Sequence, residues 1–286
     1  MNLIRAYADL TKPRITCFIL MSTAIGFLFG LPLGAPFAWP LLLHTLLGTA
    51  LIASGTAGLN QWYERIADSR MNRTKARPIP SGRITATHAL IFCTVLSIAG
   101  FAELWLGANP LTALLGLFTL ASYLFVYTPL KQRTPHATTI GAIPGAMPPL
   151  IGFAAASGTL TAGAWILYAI LFLWQFPHFY AIAWIYRDDY QRAGIRMLPV
   201  VEPDGVSTAR RMVWFSAILI PISLLPTFTS MVGNVYLVGA LLLGAGFLWA
   251  SARAAAHLSG TAARHVLLAS VIYLPLLYGF LLVSRA

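Results

Sequence analysis

Residues 60–83 read NQWYERIADSRMNRTKARPIPSGR and follow an apolar run that is long enough to cross a membrane. Within this segment Asn60, Glu64 and Asp68 recur every four residues. On a helix, that spacing places three oxygen-bearing side chains on one face, about one turn apart. Acidic groups beside a membrane span are costly to keep, so the pattern favours a functional site at the end of this span.

Four cations follow Asp68, and Pro78 and Pro80 should then end the helix because proline has no backbone N–H. The cations are Arg70, Arg73, Lys75 and Arg77. Mg²⁺ is usually held by one or two carboxylates together with phosphate oxygens, and arginine matches phosphate in a bidentate way. The segment therefore indicates a hard cation that holds a phosphate, although the basic residues alone favour an ordinary cytoplasmic loop.

The composition identifies an integral membrane protein. The chain has 286 residues, of which 58% are hydrophobic and 9% are charged, whereas soluble domains carry about 25% charged residues. Cys17 and Cys93 both lie in apolar runs and lack metal-binding spacing, so we interpret them as packed thiols. The first fourteen residues hold three cations and no clear cleavage site, which predicts a chain without a cleavable signal.

Nine apolar runs can each span about 30 Å of hydrocarbon at roughly 20 residues apiece. We therefore predict an all-α, polytopic membrane protein with nine transmembrane helices that form a single domain, residues 1–286. The fifth run is the weakest because three prolines interrupt it. The predicted spans are 15–34, 40–60, 87–106, 110–129, 138–156, 163–185, 211–231, 234–252 and 265–283.

The cations predict the orientation. With these spans, every one of the 19 lysines and arginines except Arg285 falls on the same side of the membrane. By the positive-inside rule that side is the cytoplasm, so the N-terminus lies inside and the C-terminus outside. The net charge of +11 is thereby explained by topology, and a nucleic-acid partner is excluded. We expect a bacterial inner membrane and contact with its lipid bilayer.

A second polar cluster belongs to the sixth span. Gln175 and His178 lie inside the apolar run, and polar groups there are functional candidates. His178 could bind iron, donate a hydrogen bond to a substrate, or bond to a neighbouring helix. A short helix carrying Asp188, Asp189 and Tyr190 should follow and end at Gly194, a position that favours helix termination.

The loop after the fourth span contributes Tyr127 and Lys131, which are one helical turn apart. The lysine could meet a phosphate, or it could simply extend along the apolar surface to the membrane interface. Spacing alone does not decide between these two interpretations.

The pattern Asn60-xxx-Glu64-xxx-Asp68, with the cations and prolines after it, resembles the first acidic motif of the intramembrane, UbiA-type prenyltransferases. Further matches are similar to the branch of that superfamily that farnesylates heme. They are Thr11-Lys12-Pro13-Arg14, Arg73-Thr74, Arg77-Pro78, Gly82-Arg83, Tyr127-Thr128-Pro129-Leu130-Lys131, Pro177-His178-Phe179, Asp189-Tyr190, Gly194 and Met197-Leu198-Pro199-Val200. The resemblance covers residues 11 to about 201.

The resemblance implies nine helices around a central cavity and a Mg²⁺-dependent transfer of farnesyl from farnesyl diphosphate to a vinyl group of heme B, which gives heme O. It implies that Asn60, Glu64 and Asp68 hold Mg²⁺, with Asp188 as a further ligand. Glu64 stands where many members of the superfamily have Asp, and the second motif lacks an i, i+4 pair of aspartates.

The resemblance also assigns the remaining roles. The diphosphate ligands are expected to be Arg14, Arg73, Arg77, Tyr127 and Lys131. Lys131 and Asp189 would join the three metal ligands as catalytic residues. The tentative heme-binding residues are Gln175, His178 and Tyr190.

Two other functions stay open. The first is a prenyltransferase that acts on an aromatic quinone precursor, and the second is a non-enzymatic membrane protein that binds or transports heme. The sequence also leaves open whether heme A synthase or a terminal oxidase assembly docks on this chain.

Overall fold

A computed structural model describes residues 3–285, and in that part of the chain the regular structure is helical, with no strand. Nine helical stretches of this part of the chain are long and apolar enough to cross a membrane. The predicted all-α class and the nine spans are confirmed. Large apolar side chains such as Leu106, Phe125 and Leu242 are exposed along these helices, as expected for surfaces that face lipid.

The chain divides into two compact units. The first unit holds the described residues up to Arg133, Met147–Leu160 and Asp189–Ile195. Its helices are α1 (Leu3–Thr11), α2 (Pro13–Gly30), α3 (Trp39–Tyr63), α4 (Arg65–Ser69), α5 (Ala86–Gly107), α6 (Pro110–Ala121), a π-helical segment (Ser122–Tyr127), α7 (Thr128–Leu130) and α9 (Pro148–Ser157). The unit also contains most of α11 (Arg187–Arg192).

The second unit holds Thr134–Ala146, Thr161–Asp188 and the described residues from Arg196 onward. Its helices are α8 (Ala137–Gly145), α10 (Ala162–Ile185), α12 (Leu198–Val201), α13 (Val206–Phe228), α14 (Asn234–Ala256) and α15 (Gly260–Val283). The fifth predicted span is therefore two helices, α8 and α9, which meet at the Met147-Pro148-Pro149 step. Proline at the start of α9 favours a new helix there and cannot continue the old one.

Local sequence explains where the helices begin. The side chains of Thr85, Asn109 and Ser259 accept hydrogen bonds from backbone N–H groups of the first turns of α5, α6 and α15. The ninth span consequently starts at Gly260, five residues before the predicted start at 265, because Ser259 caps it. The seventh span starts at Val206 rather than at 211, directly after Gly205 in a left-handed conformation.

Small residues let helices of the first unit pack closely. Gly26 of α2 lies against the backbone of Pro149, and Gly152 of α9 lies against the backbone of Thr23 and Phe27. A side chain at either position would overlap these atoms. Close backbone approach at glycine is a usual way to pack helices within membranes, where dispersion rather than hydrophobic burial drives association.

The helix that carries Asp68 ends earlier than predicted. Regular helix stops at Ser69, and residues 71–84 are mostly turns, so the expectation that Pro78 ends the helix is wrong. The backbone N–H groups of Asn72 and Arg73 do not continue the helical ladder, because they donate to the carboxylate of Asp189. The predicted short helix that ends at Gly194 is present as α11, and Gly194 has a positive φ of 70°.

Candidate active site

One helical face carries the three oxygen ligands of the first acidic motif. α3 ends at Tyr63, but Glu64 N donates to Asn60 O at 2.9 Å and Asp68 N donates to Glu64 O at 2.8 Å. This ladder keeps the i, i+4 geometry across the junction between α3 and α4, so the three side chains stay on one face. All three are buried, and Asp68 has an exposed fraction of 0%.

Glu64 is paired with Lys131, which follows α7. The Lys131 ammonium donates to Glu64 Oε1 at 2.9 Å and lies 4.6 Å from the centre of the Tyr127 ring. Burial acts to lower the pKa of Lys131, but the charge of Glu64 outweighs it, and the pKa lies well above its ordinary value. Lys131 is therefore a charged, buried group beside the acidic face rather than a lysine that reaches for the membrane interface.

Asp68 is paired with Arg77. One terminal nitrogen of the guanidinium, Nη1, donates to both carboxylate oxygens, at 2.8 and 2.7 Å. Thr74 supports this turn, because its hydroxyl donates to the backbone carbonyl of Asp68 at 2.9 Å. A carboxylate buried beside a membrane span needs such a partner, because burying an uncompensated charge is strongly unfavourable.

Asn60 is oriented by the end of the fourth span. Its amide donates to the hydroxyl of Thr128 at 3.2 Å, and that hydroxyl donates to Tyr123 O at 2.8 Å. The backbone N–H of Thr128 also bonds to Tyr123 O, which is the i to i−5 pattern of the π-helical segment. Pro129 lacks a backbone N–H, so the helix cannot wind regularly through this point.

Asp189 fastens the cation-rich loop. Its carboxylate oxygens accept hydrogen bonds from the backbone N–H groups of Asn72, at 3.1 Å, and Arg73, at 3.0 Å. It is also paired with Arg192 within α11. The structure thus gives this predicted catalytic residue a direct role in loop geometry, whereas a part in the chemistry stays a prediction.

The other predicted diphosphate ligands lie in three different surroundings. Arg73 bonds to the hydroxyl of Tyr190 at 3.3 Å and lies over its ring at 5.8 Å. Tyr127 packs edge-on against Tyr123, with ring centres 5.0 Å apart. Arg14 is exposed.

Lys12 is a member of this cluster that the sequence analysis did not assign. Burial and the positive charges of Arg77 and Lys131 together lower the pKa of its ammonium to about 7, against the opposing effects of Glu64 and Asp68. Its backbone is left-handed, with φ at 48°, which is unusual for a residue other than glycine. The sequence signal for this residue was the Lys12-Pro13 pair before the first span, because proline restricts the backbone conformation of the residue that precedes it.

The second unit holds the remaining candidates. Gln175 is buried, and its amide nitrogen donates to Ala142 O at 3.1 Å and Leu171 O at 3.2 Å, which ties α10 to α8. Nδ1 of His178 lies 2.8 Å from the hydroxyl of Ser270. Asp188, the fourth predicted metal ligand, has a side chain that is 76% exposed and lies 3.7 Å from Arg187.

Among residues 3–285, no group of three or more His, Cys, Asp or Glu side chains is arranged to hold a metal ion. The acidic face offers two carboxylates and an amide. This is the number of protein ligands that suits Mg²⁺ when phosphate oxygens complete its coordination. The donor set therefore fits a metal that arrives together with a phosphate substrate.

Comparison with known proteins gives a consistent relationship. Residues 19–283 match the model of the UbiA prenyltransferase family. The chain is 61% identical, over 289 residues, to the protoheme IX farnesyltransferase of Solibacter usitatus (strain Ellin6076), covering 99% of each chain.

The fold is similar to solved structures at low sequence identity. A structure of digeranylgeranylglyceryl phosphate synthase gives a TM-score of 0.81 at 17% identity, with 99% of both chains covered. A UbiA homologue from Archaeoglobus fulgidus bound to GPP and Mg²⁺ gives a TM-score of 0.62 at 16% identity, covering 96% of this chain and 99% of that one. On the family match and the full-length identity, the chain belongs to the UbiA prenyltransferase family.

Proposed function

We propose that this chain transfers a farnesyl group from farnesyl diphosphate to a vinyl group of heme B, giving heme O and releasing diphosphate. Full-length identity of 61% to a protoheme IX farnesyltransferase supports the choice of substrates. The observation in the structure that carries the proposal is the buried Asp68–Arg77 pair beside Glu64–Lys131. Carboxylates for a metal and cations for phosphate oxygens lie together at the end of one membrane span.

In this proposal Asn60, Glu64 and Asp68 hold Mg²⁺, and Asp188 is a further ligand. When bound, the ion would neutralise the charge that develops on the departing diphosphate. The protein residues share this task, because Arg77 and Lys131 already lie within hydrogen-bond distance of the carboxylates that would hold the metal. They are therefore placed to donate to phosphate oxygens next to it.

Further cations and one tyrosine complete the proposed diphosphate site. Arg73, Arg14 and Tyr127 were expected there from the resemblance, and Lys12 joins them because it lies within the same charge cluster. Asp189 acts mainly by holding the loop that carries Arg73. Heme B is proposed to contact Gln175, His178 and Tyr190.

The chain is a multi-pass membrane protein. We propose that it works as one prenyltransferase domain in a bacterial inner membrane, with its N-terminus in the cytoplasm and its C-terminus outside.

The test is a product assay with membranes that contain the full-length chain. With farnesyl diphosphate, heme B and Mg²⁺, we expect a product whose mass equals heme B plus a farnesyl group plus a hydroxyl group from water, and excess chelator should abolish it. Asp68→Asn keeps the shape of the side chain and should lower turnover by at least about 100-fold, because the charge at the diphosphate is lost. Asp9→Asn removes an exposed ion pair with Arg83 and serves as the control.

Each alternative function predicts a different result in the same assay. A quinone-type prenyltransferase would farnesylate a hydroxybenzoate and leave heme unchanged. A heme-binding or transport protein would form no prenylated product, and Asp68→Asn would not affect its heme binding. Turnover that persists in excess chelator would contradict the metal.

A further inference from the structure

One histidine of this chain is set apart from the others by its surroundings. Five of the six histidines are exposed, whereas His178 lies half-buried within α10, inside a membrane-spanning segment. Its ring stacks on Trp174 with centres 4.8 Å apart and planes inclined by 24°. A histidine in this position is costly to keep and is a functional candidate by default.

The hydrogen bonds around Ser270 define which nitrogen of His178 carries the proton. The Ser270 hydroxyl lies 2.6 Å from Leu267 O and donates its single proton to that carbonyl. It must therefore accept the bond from His178, whose Nδ1 lies 2.8 Å away. Nδ1 consequently carries the hydrogen, and Nε2 presents a bare lone pair.

The lone pair on Nε2 has no hydrogen-bond partner within the described part of the second unit. The neighbouring donors are already engaged, because Trp174 Nε1 donates to Ser270 O at 2.8 Å and the Gln175 amide donates to backbone carbonyls. A neutral imidazole whose Nδ1–H is held by a second residue, and whose Nε2 is open, is the arrangement that proteins use to bind metals.

We propose that Nε2 of His178 is an axial ligand to the iron of the heme substrate, and that Ser270 and Trp174 position the ring. This inference rests on the proposed function, since heme is the substrate there. This bond would hold the porphyrin by its iron while the reaction takes place at a vinyl group on the edge of the macrocycle. Because the bond is reversible, the product can leave.

The experiment is a titration of the purified full-length protein with heme B, followed by absorption spectra and by electron paramagnetic resonance of the ferric form. Wild-type protein labelled with ¹⁵N-histidine should show hyperfine coupling from one imidazole nitrogen to the iron. This measurement needs no variant, so the absence of coupling would overturn the proposal even if substitutions at position 178 impair folding, and loss of the coupling in His178→Gly would assign it to this residue. An iron signal without histidine coupling would overturn the proposal.

Variants test the same contact independently. His178→Gly should weaken heme binding at least about tenfold, with added imidazole restoring both the spectrum and the affinity. It should leave the affinity for metal-free protoporphyrin IX unchanged, because that ligand offers no iron. Equal losses for both porphyrins would mean that His178 only shapes the cavity, and would overturn the proposal.

Ser270→Ala leaves the ring in place but removes the acceptor for Nδ1–H. We expect a weaker iron–histidine bond, seen as a shifted ferric signal and roughly a tenfold loss of heme affinity. His265 is exposed and lies on α15, as Ser270 does. His265→Ala is therefore the matched control and should change neither the ferric signal nor the heme affinity. If the wild-type spectrum lacks histidine coupling but heme O is still made, this inference fails alone. If heme is neither bound nor farnesylated, the proposed function fails with it.

Discussion

At the scale of single residues, the site is a set of opposite charges that are buried together. Asp68 and Glu64 have their cationic partners, Arg77 and Lys131, within 3 Å. Removing one member of such a buried pair typically costs about 3–5 kcal/mol, because the other charge is left without compensation. Conservative substitutions that keep the shape of the side chain are therefore needed to separate catalysis from folding.

Lys12 gives this cluster a dependence on pH. Its pKa of about 7 means that the side chain is mostly neutral at pH 8 and mostly charged at pH 6. A bound diphosphate favours the ammonium form and so raises this pKa, which requires the uptake of a proton at pH 8 but not at pH 6. Calorimetric titration with a non-hydrolysable farnesyl diphosphate analogue and Mg²⁺, in two buffers of different ionisation enthalpy, should detect about one more proton taken up at pH 8 by wild type than by Lys12→Met.

The control for this prediction is Lys75→Met. Lys75 is exposed and bonds to Asn72 in the same loop, so its loss should not change the proton count. Identical proton uptake by wild type and Lys12→Met would show that Lys12 does not titrate on binding.

At the scale of elements, the loop of residues 71–84 is held by α11 as well as by hydrogen bonds between its own turns. Two backbone N–H groups of the loop donate hydrogen bonds to one carboxylate, that of Asp189. Hydrogen bonds to a charged group contribute about 1.5–3 kcal/mol each, so this residue is the main anchor of the loop.

Asp189→Asn keeps the size of the side chain but removes its charge and one acceptor. We expect KM for farnesyl diphosphate to rise about tenfold with a smaller fall in kcat, because Arg73 is released from its position. Trypsin should also cleave faster at the exposed Arg70 and Lys75. Asp204→Asn, at an exposed aspartate outside the proposed site, is the control, and equal effects of the two substitutions would contradict the anchoring role.

The sequence predicted the long elements better than the short ones. Hydropathy located all nine spans because an apolar run of about 20 residues has few alternatives in a bilayer. It could not locate the end of the helix after Asp68, because a residue 121 positions later in the chain, Asp189, takes the N–H groups that would have continued it.

The site was predicted in the same uneven way. The face of Asn60, Glu64 and Asp68 follows from a fixed helical period, and the structure keeps it. The choice among basic residues could not be made from spacing, since Arg14 and Lys12 stand two positions apart, and only the fold shows that Arg14 is exposed while Lys12 lies with the acids.

At the scale of the whole molecule, nearly all cations fall on one side of the nine spans, which predicts the orientation of the chain. Ala35 and Lys75 are exposed positions on opposite predicted sides. In a Cys17→Ser background, a membrane-impermeant maleimide should label Ala35→Cys in intact spheroplasts and Lys75→Cys only after the membrane is opened. Cys93 is buried and should stay unlabelled. The reverse labelling pattern would invert the proposed topology.

The π-helical segment Ser122–Tyr127 carries one residue more per turn than an ordinary helix would. Deleting a single residue there would let the fourth span wind normally, and each residue of an α-helix turns the chain by about 100°. The residues that follow the deletion, including Lys131, would rotate about the helix axis, and Lys131 would point away from Glu64. The extra residue of this segment thus sets the rotation about the helix axis that directs Lys131 toward Glu64.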